Sequence, residues 1–103
     1  GEWTVLTDHL GGEPVASGQM KSSYGWANDG NGTNSSGFSG LPGGMRNDGG
    51  NFDDAVNSGR WWSSSPDGSY PNAWSRFLSF YDESVYRNIN NQRDGFSVRC
   101  IQD

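Results

Sequence analysis

Leu, Ile, Val and Phe are scarce in this chain of 103 residues and together number only 16. That share lies below the roughly 20% at which a highly charged chain is expected to be disordered. The net charge is only −5, however, and the chain contains five Trp, four Tyr and five Phe. Each large ring can bury roughly 150–250 Å². We therefore predict one small, loop-rich folded domain with an aromatic core.

Long apolar runs, a basic stripe and paired cysteines are also missing. No run approaches the roughly 18–20 apolar residues that span a membrane, so this domain is not expected to insert into one. The seven Lys and Arg are spread from Lys21 to Arg99. Nucleic acid is therefore not an expected partner. The single cysteine, Cys100, has no internal disulfide partner. Because the chain opens at Gly1 without an initiator Met, we interpret it as a processed or excised piece.

Helical spacing is confined to the first part of the chain. Trp3, Leu6 and Leu10 recur at helical intervals before two glycines, which predicts a helix of about ten residues. Residues 14–21 form a weaker helical candidate, interrupted by a glycine, in which Val15 and Met20 would face the core. Residues 22–59 are dense in turn dipeptides, which predicts a long irregular segment. Its apolar anchors would be Trp26, Phe38, Leu41, Met45 and Phe52.

Beyond Gly59 the periodicity changes to two. Residues 61–64 open this β half, and residues 73–81 carry apolar side chains on both faces, which predicts a central strand. Short turns then lead to strands over residues 85–90 and 96–101. Such short connections favour an antiparallel meander.

Assembled catalytic groups are not recognisable in the sequence. The adjacent pairs Asp53-Asp54 and Asp82-Glu83 would point in opposite directions in extended chain, so we interpret them as turn residues. One His, one Cys and the absence of a Gly-x-Ser-x-Gly elbow leave no nucleophilic triad.

Calcium is the cofactor left open by the sequence. Two glycine-rich stretches carry Asn and Asp oxygens of the kind that hard cations prefer, although neither completes an EF-hand. Asn and Asp are equally common in turns for local reasons, and we favour that interpretation. The candidate ligands are Asp29, Asn31, Asp48 and Asn51.

A mixture of polar and aromatic side chains in the β half is the feature best suited to binding. Rigid rings supply contact area and amides supply adaptable hydrogen bonds, a combination that also suits the C–H face and the hydroxyl groups of a sugar. We expect Trp74 and at least one of Trp61 and Trp62 to be structural as well. The candidate ligand-binding residues are Tyr70, Trp74, Arg76, Tyr81, Tyr86, Arg87, Asn88, Asn90 and Asn91.

Several motifs follow one another in a distinctive order. They are Glu2-Trp3-Thr4-Val5-Leu6, Leu10-Gly11-Gly12, the Gly-Phe-Ser-x-Leu-Pro-Gly-Gly block that starts at Gly37, Trp61-Trp62-Ser63-Ser64-Ser65, and the Gly-Phe-Ser-Val-Arg-Cys block that ends at Cys100. In this order the chain resembles the Fibrobacter succinogenes major paralogous domain family over essentially its whole length. The two long blocks make the resemblance specific.

The resemblance implies a fold. The family is similar to the formylglycine-generating enzyme group, and both are regarded as C-type-lectin-like. An α+β domain is therefore expected, with one or two N-terminal helices, a long irregular middle and a small twisted antiparallel sheet at the C-terminus. Family members usually begin with an upstream strand and a cysteine. Residues 1–103 are thus expected to form a single C-type-lectin-like domain that lacks this strand, which would leave Cys100 unpaired.

The resemblance also implies a bacterial protein that is secreted or attached to the outer membrane, often as a lipoprotein or as one module of a longer chain. Formylglycine-generating enzymes hold copper with two cysteines before the terminal block. Residues 85–93 contain no cysteine, so we predict that the domain is not an enzyme. A third hypothesis is an enzyme completed by residues of a neighbouring domain.

The leading hypothesis is a non-catalytic recognition domain that binds a glycan or a protein ligand, for example in adhesion, through its C-terminal sheet and loops. The alternative is a structural spacer module without a ligand of its own, which predicts buried rings and no concave pocket. Exposure of Tyr81, Tyr86 and Arg87 distinguishes the two hypotheses.

Overall fold

A computed structural model describes residues 2–66 and 72–99 of the chain and shows a small α+β fold. Its helices precede its strands, as the sequence predicts. The elements are α1 (Glu2–His9), α2 (Ser17–Met20), a 3-10 turn (Ala27–Asp29), β1 (Met45–Arg46), β2 (Phe52–Asp53), β3 (Ser58–Pro66), β4 (Asn72–Ser79) and β5 (Val85–Asn91). Within the described ranges no helix is long and apolar enough to cross a membrane.

The first helix matches its prediction closely. α1 ends at His9, and Gly11 and Gly12 follow with φ angles of +101° and +102°, a backbone conformation that only glycine adopts readily. The Gly12 amide donates to the carbonyl oxygen of Thr7 at 2.8 Å and closes the helix end. Trp3 and Leu6, on one side of α1, pack against the core.

The second helix is shorter than predicted. α2 has only four residues, because residues 11–16 form turns in which the Ala16 amide bonds to the Gly12 carbonyl at 3.0 Å. Met20 is fully buried, as expected, but Val15 is exposed, so its predicted core position was wrong. Ala16 faces the core instead, since the tight turn rotates Val15 outward.

The middle segment is less irregular than predicted. β1 and β2 form a hairpin in which Met45 pairs with Asp53 and Arg46 with Phe52. Among the predicted anchors, Trp26 is buried and Phe38 packs against the core, whereas Leu41 and Phe52 are exposed and do not anchor the segment.

Backbone hydrogen bonds supply the missing anchorage of the middle segment. The Val56 amide donates to the Pro42 carbonyl at 2.9 Å, and the Ala27 amide donates to the Val56 carbonyl at 2.9 Å. These contacts join three parts of the segment through main-chain groups, which a pattern of apolar side chains does not reveal.

The C-terminal sheet is the predicted meander. β3, β4 and β5 are antiparallel in the order β3-β4-β5, with β4 in the centre. Across the sheet Arg60 lies opposite Phe77 and Phe77 opposite Tyr86, which fixes the register. β3 begins at Ser58, three residues before the predicted position.

The predicted final strand is not formed over residues 96–99, the part of it that the structure describes. Two isolated bridges connect this region to other elements, one between Arg46 and Gly95 and one between Trp61 and Ser97. Val98 is exposed. Phe96 stacks on Trp62 with ring centroids 4.4 Å apart. The Ser97 backbone bonds to Arg60 and Trp62 of β3 at 2.9 and 3.1 Å, so this region meets the sheet at one bridge without extending into a strand. Cys100 and Ile101 lie outside the described residues.

An aromatic cluster joins α1, the middle segment and the sheet. Trp3 lies 5.6 Å from Phe38 and 6.4 Å from Trp61, and Phe38 lies 5.4 Å from Trp61, all between ring centroids. The fully buried Leu78 and the buried Val85 extend the core along β4 and β5. The core is therefore small and mixes aromatic with aliphatic side chains, since among the buried residues that the structure describes in it only Trp26 and Trp61 are aromatic.

Candidate functional site

Strand alternation divides the predicted ligand-binding residues between the two faces of the sheet. Trp74, Arg76 and Arg87 share the face of Leu78 and Val85, which faces the core. The opposite face of β5 carries Tyr86, Asn88 and Asn90. Asn91 follows Asn90 in the strand and therefore points to the other face. Tyr81 lies in the turn after β4. Tyr70 lies outside the described residues. The predicted set therefore does not form one continuous surface.

Arg76 is buried on the core face. Its guanidinium donates to the Ser75 carbonyl at 3.4 Å, and burial lowers the pKa of Arg76, partly offset by the charge of Glu13. Its cross-strand neighbour Arg87 is exposed and forms an ion pair with Glu13 at 3.5 Å. Arg76 thus presents no donor group at the surface, while Arg87 does.

Tyr86 belongs to a row of stacked groups across the sheet. Its ring stacks on Phe77 at 4.7 Å with planes only 14° apart, and the Arg60 guanidinium lies 4.7 Å from the Phe77 centroid. The Tyr86 hydroxyl donates a hydrogen bond to the Asp82 carboxylate. This hydrogen bond, followed by burial and by a hydrogen bond with Tyr81, raises the pKa of Tyr86 to about 12. This stacking covers one face of each ring, and the Arg60 guanidinium also lies over Phe77.

A cleft of about 490 Å³ lies at the end of β4, between α2, the loop of residues 29–33 and the turn of residues 80–83. Its volume falls in the range of small-molecule sites, roughly 300–1,000 Å³. Tyr81 stands at its rim with 64% of its surface exposed and packs edge-on against Phe80. This cleft brings one predicted contact residue, Tyr81, together with two predicted metal ligands, Asp29 and Asn31.

Two glycines allow the 29–33 loop to lie close against its neighbours. A Cβ atom at Gly30 would lie 2.3 Å from the Phe80 carbonyl oxygen, and one at Gly32 would lie 2.5 Å from the Gly18 carbonyl oxygen. The Thr33 amide, which donates to the Gly18 carbonyl at 2.8 Å, secures this approach. The wall of the cleft therefore requires glycine at both positions.

Lys21 supports the cleft from beneath with only 3% of its surface exposed. Its ammonium group donates to the carbonyl oxygens of Ser79 and Asp82, both at 3.1 Å, and lies 5.4 Å from the centroid of Trp26. Burial lowers the pKa of Lys21, against the opposing charges of Asp82 and Glu83. Lys21 thus fastens the 80–83 turn to the chain after α2.

The four predicted calcium ligands fall into two separate places. Asp29 and Asn31 line the cleft, where the Asn31 side-chain oxygen accepts the Trp26 amide at 2.9 Å. Asp48 and Asn51 lie in the turn between β1 and β2. In residues 2–66 and 72–99 no group of three or more His, Cys, Asp or Glu side chains is arranged to hold a metal ion.

Sequence reasoning did not identify Lys21, Gln19 and Glu83 as residues of one cleft. Lys21 and Gln19 stood in a candidate helix, and Glu83 was interpreted as a turn residue. Their proximity depends on contacts between chain positions about 60 residues apart, for which the sequence gives no periodic signal. The glycines at positions 30 and 32 were a partial signal, because glycine marks close approach of backbones.

Together these elements define a small α+β domain with one polar cleft beside its antiparallel sheet, and comparison with known sequences places it in a family. The model of the Fibrobacter succinogenes major domain matches residues 1–102, and the chain belongs to this family. No curated protein and no solved structure matches the chain.

Proposed function

We propose that this domain is a non-catalytic recognition module of a bacterial surface or secreted protein, with a C-type-lectin-like fold. It binds a glycan or a protein ligand at the cleft beside the sheet. The observation that carries the proposal is the cleft itself, with an exposed aromatic ring at its rim and polar side chains in its walls. A concave site with an exposed ring is typical of ligand recognition and is not required of a spacer.

The exposure of the predicted contact residues also supports recognition. Tyr81 and Arg87 are exposed, and Tyr86 is half-buried. Tyr81 is the ring best placed for a ligand, because it projects at the cleft rim, whereas Tyr86 is stacked on Phe77.

Binding to a glycan array and to a displayed peptide library tests the proposal. We expect Tyr81→Ala to weaken binding of the selected ligand by roughly tenfold, because stacking on an aromatic ring contributes about 1–1.5 kcal/mol. Tyr24→Ala is a matched control, because the exposed fraction of Tyr24 is 67%, similar to the 64% of Tyr81, and Tyr24 does not line the cleft. Equal losses in the two variants would count against the cleft, and no binding in either screen would count against recognition.

A structural spacer is the second candidate function. The contacts that favour it are the stacked pairs Phe77–Tyr86 and Trp62–Phe96, in which rings of the β half pack on each other. A spacer would keep its fold and show no selective ligand in the same screens.

A further inference from the structure

The hydrogen-bonding groups that line the cleft are unequally used, and this imbalance indicates what the cleft can bind. Several lining side chains already have partners within the protein. The Lys21 ammonium donates to two backbone carbonyls, and the Thr33 hydroxyl donates to the Gly18 carbonyl at 3.3 Å. The Gln19 amide nitrogen donates to the Leu10 carbonyl at 2.7 Å. Each of these three donor groups therefore already has a partner within the protein, although Gln19 and Lys21 each keep one further N–H.

Several side-chain oxygens of the cleft wall accept no hydrogen bond within the described part of the chain. The carboxylates of Asp29 and Glu83 accept no hydrogen bond and form no ion pair within the described ranges. In the same ranges the Gln19 side-chain oxygen also has no donor, since only its nitrogen is engaged. On the donor side, the Asn31 side-chain nitrogen remains available, because its oxygen is held by the Trp26 amide. A ligand that fits this wall must bring more donors than acceptors.

The net negative charge of the cleft lining also favours a ligand that brings hydrogen-bond donors. The lining contains three carboxylates, Asp29, Asp82 and Glu83, and one ammonium, Lys21. The Lys21 ammonium lies beneath the surface and uses two of its three N–H groups on carbonyl oxygens, so most of its hydrogen-bonding capacity is committed within the protein. An anionic ligand would meet net negative charge with few donors to compensate it.

Tyr81 completes the chemical description of the ligand. Its ring, exposed at the rim, can contact the C–H face of a sugar ring or a cation, and both contacts are favourable at an aromatic face. Hydroxyl groups and an ammonium group on one ring would satisfy the acceptors of the wall.

We propose that the cleft binds a pyranose that carries hydroxyl groups and a primary ammonium, that is, an unacetylated amino sugar, and that it disfavours the corresponding sugar acid. The inference rests on the proposed recognition function and specifies its ligand class.

Three methyl glycosides that share one glucose ring test the proposal: the 2-amino-2-deoxy glycoside, the unmodified glucoside and the glucuronide. Titrations at about pH 6 and low salt keep the amine of the sugar protonated and limit the screening of charge. Chemical shifts of ¹⁵N-labelled protein report weak binding. We expect the amino glycoside to bind roughly tenfold more tightly than the glucuronide, with the glucoside between them. The shifts should be largest for the amides of Gly30, Gly32 and Glu83.

Glu83→Gln separates charge from shape. This nearly isosteric change on an exposed side chain should preserve the amide spectrum and reduce the tenfold preference to roughly threefold. Asp48→Asn is the control, because it removes a carboxylate from the exposed β1–β2 turn, and it should leave the preference unchanged.

The outcomes distinguish this inference from the function on which it rests. Equal or tighter binding of the glucuronide would overturn the charge selectivity and leave recognition intact. Failure of all three glycosides, combined with a ligand from the array or peptide screen, would overturn the amino-sugar assignment alone. Failure in both experiments would overturn the recognition function as well.

Discussion

Val56 has a backbone conformation that β-branched residues rarely adopt. Its φ is +63°, in the left-handed region, where the branched side chain crowds the backbone. The residue nevertheless links two parts of the middle segment, through hydrogen bonds to Pro42 and Ala27 at 2.9 Å each. The backbone contacts therefore hold Val56 in a strained conformation.

Replacing Val56 with glycine should cost little stability, unlike the same change at an unstrained exposed valine. Val56→Gly removes the left-handed strain of about 1–2 kcal/mol, while the greater freedom of glycine in the unfolded chain costs about 0.5–1 kcal/mol. Because the Val56 side chain is 50% exposed, about half of the roughly 1.5–3 kcal/mol of a fully buried valine is lost as well. We therefore expect the free energy of unfolding in urea to change by less than about 1 kcal/mol.

Val98→Gly is the control for this substitution. Val98 is also exposed but is not among the residues with positive φ, so its replacement should lower stability. An equal loss of stability in the two variants would contradict the strain at Val56.

The fate of single residues shows where sequence reasoning reached its limit. Alternation in β4 correctly indicated two apolar faces and a central strand, because this property is local. It did not indicate which face the helices cover, so Arg76 was grouped with Tyr81 as a contact residue although Arg76 is buried. Only contacts with α1 and the middle segment decide which face of the sheet meets solvent.

At the scale of elements, the turn between β4 and β5 is held together by Asp82. Its carboxylate accepts hydrogen bonds from the Ser84 amide at 3.1 Å and from the Tyr86 hydroxyl, and its backbone carbonyl accepts the Lys21 ammonium. One residue thus connects the turn to β5 and to the chain after α2.

This arrangement predicts a pH dependence of stability. The pKa of Tyr86 rises from 10.0 to about 12 in the folded protein, chiefly because its hydroxyl donates to Asp82. An unfolded tyrosine therefore loses its proton first as the pH rises. The stabilisation from Tyr86 is complete below pH 10 and is lost between pH 10 and 12.

Tyr86→Phe lacks this titration. The variant should be less stable than the wild type below pH 10, and the difference should shrink as the pH approaches 12. Urea denaturation across this range measures the difference in the free energy of unfolding. Lys21 does not contribute to this difference, because both proteins contain it. Tyr24→Phe controls for the loss of an exposed tyrosine hydroxyl. A difference in stability between Tyr86→Phe and wild type that stays constant with pH would contradict the raised pKa of Tyr86.

Elements with local signals were predicted well, and elements with distant partners were not. α1 and the β3-β4-β5 meander follow from periodicity and short connections. The β1–β2 hairpin has only two residues in each strand, too few for alternation to be recognised. The predicted final strand was wrong over residues 96–99, where Ser97 meets β3 at a single bridge and Phe96 stacks on Trp62, 34 positions away in the chain.

At the scale of the whole molecule, stability depends on few buried side chains. In the part of the chain that the structure describes, the buried apolar residues are Ala16, Met20, Trp26, Trp61, Leu78 and Val85. Trp61 is the centre of this set, because it is only 6% exposed and contacts both Trp3 and Phe38.

Trp61→Ala should strongly destabilise the domain. Truncation of a buried tryptophan costs about 3–5 kcal/mol, a large part of the roughly 5–15 kcal/mol available to a small domain. Near-ultraviolet circular dichroism and urea denaturation would show the loss of fixed aromatic packing. Phe52→Ala is the contrast, because Phe52 is 82% exposed and its main contact is the Arg46 guanidinium at 5.7 Å. We expect it to cost about 1 kcal/mol or less.

The link from Lys21 to the turn after β4 also bears on how fast the chain folds. Lys21 and Ser79 are 58 positions apart, and the Val85 amide donates to the Glu13 carbonyl at 2.7 Å across an even longer separation. The cleft cannot exist until these distant segments have met, and closing such long loops carries an entropic cost before any contact repays it. We therefore expect the cleft to be completed late in folding, on the roughly millisecond-to-second scale of β-rich domains and not on the microsecond scale of helical bundles.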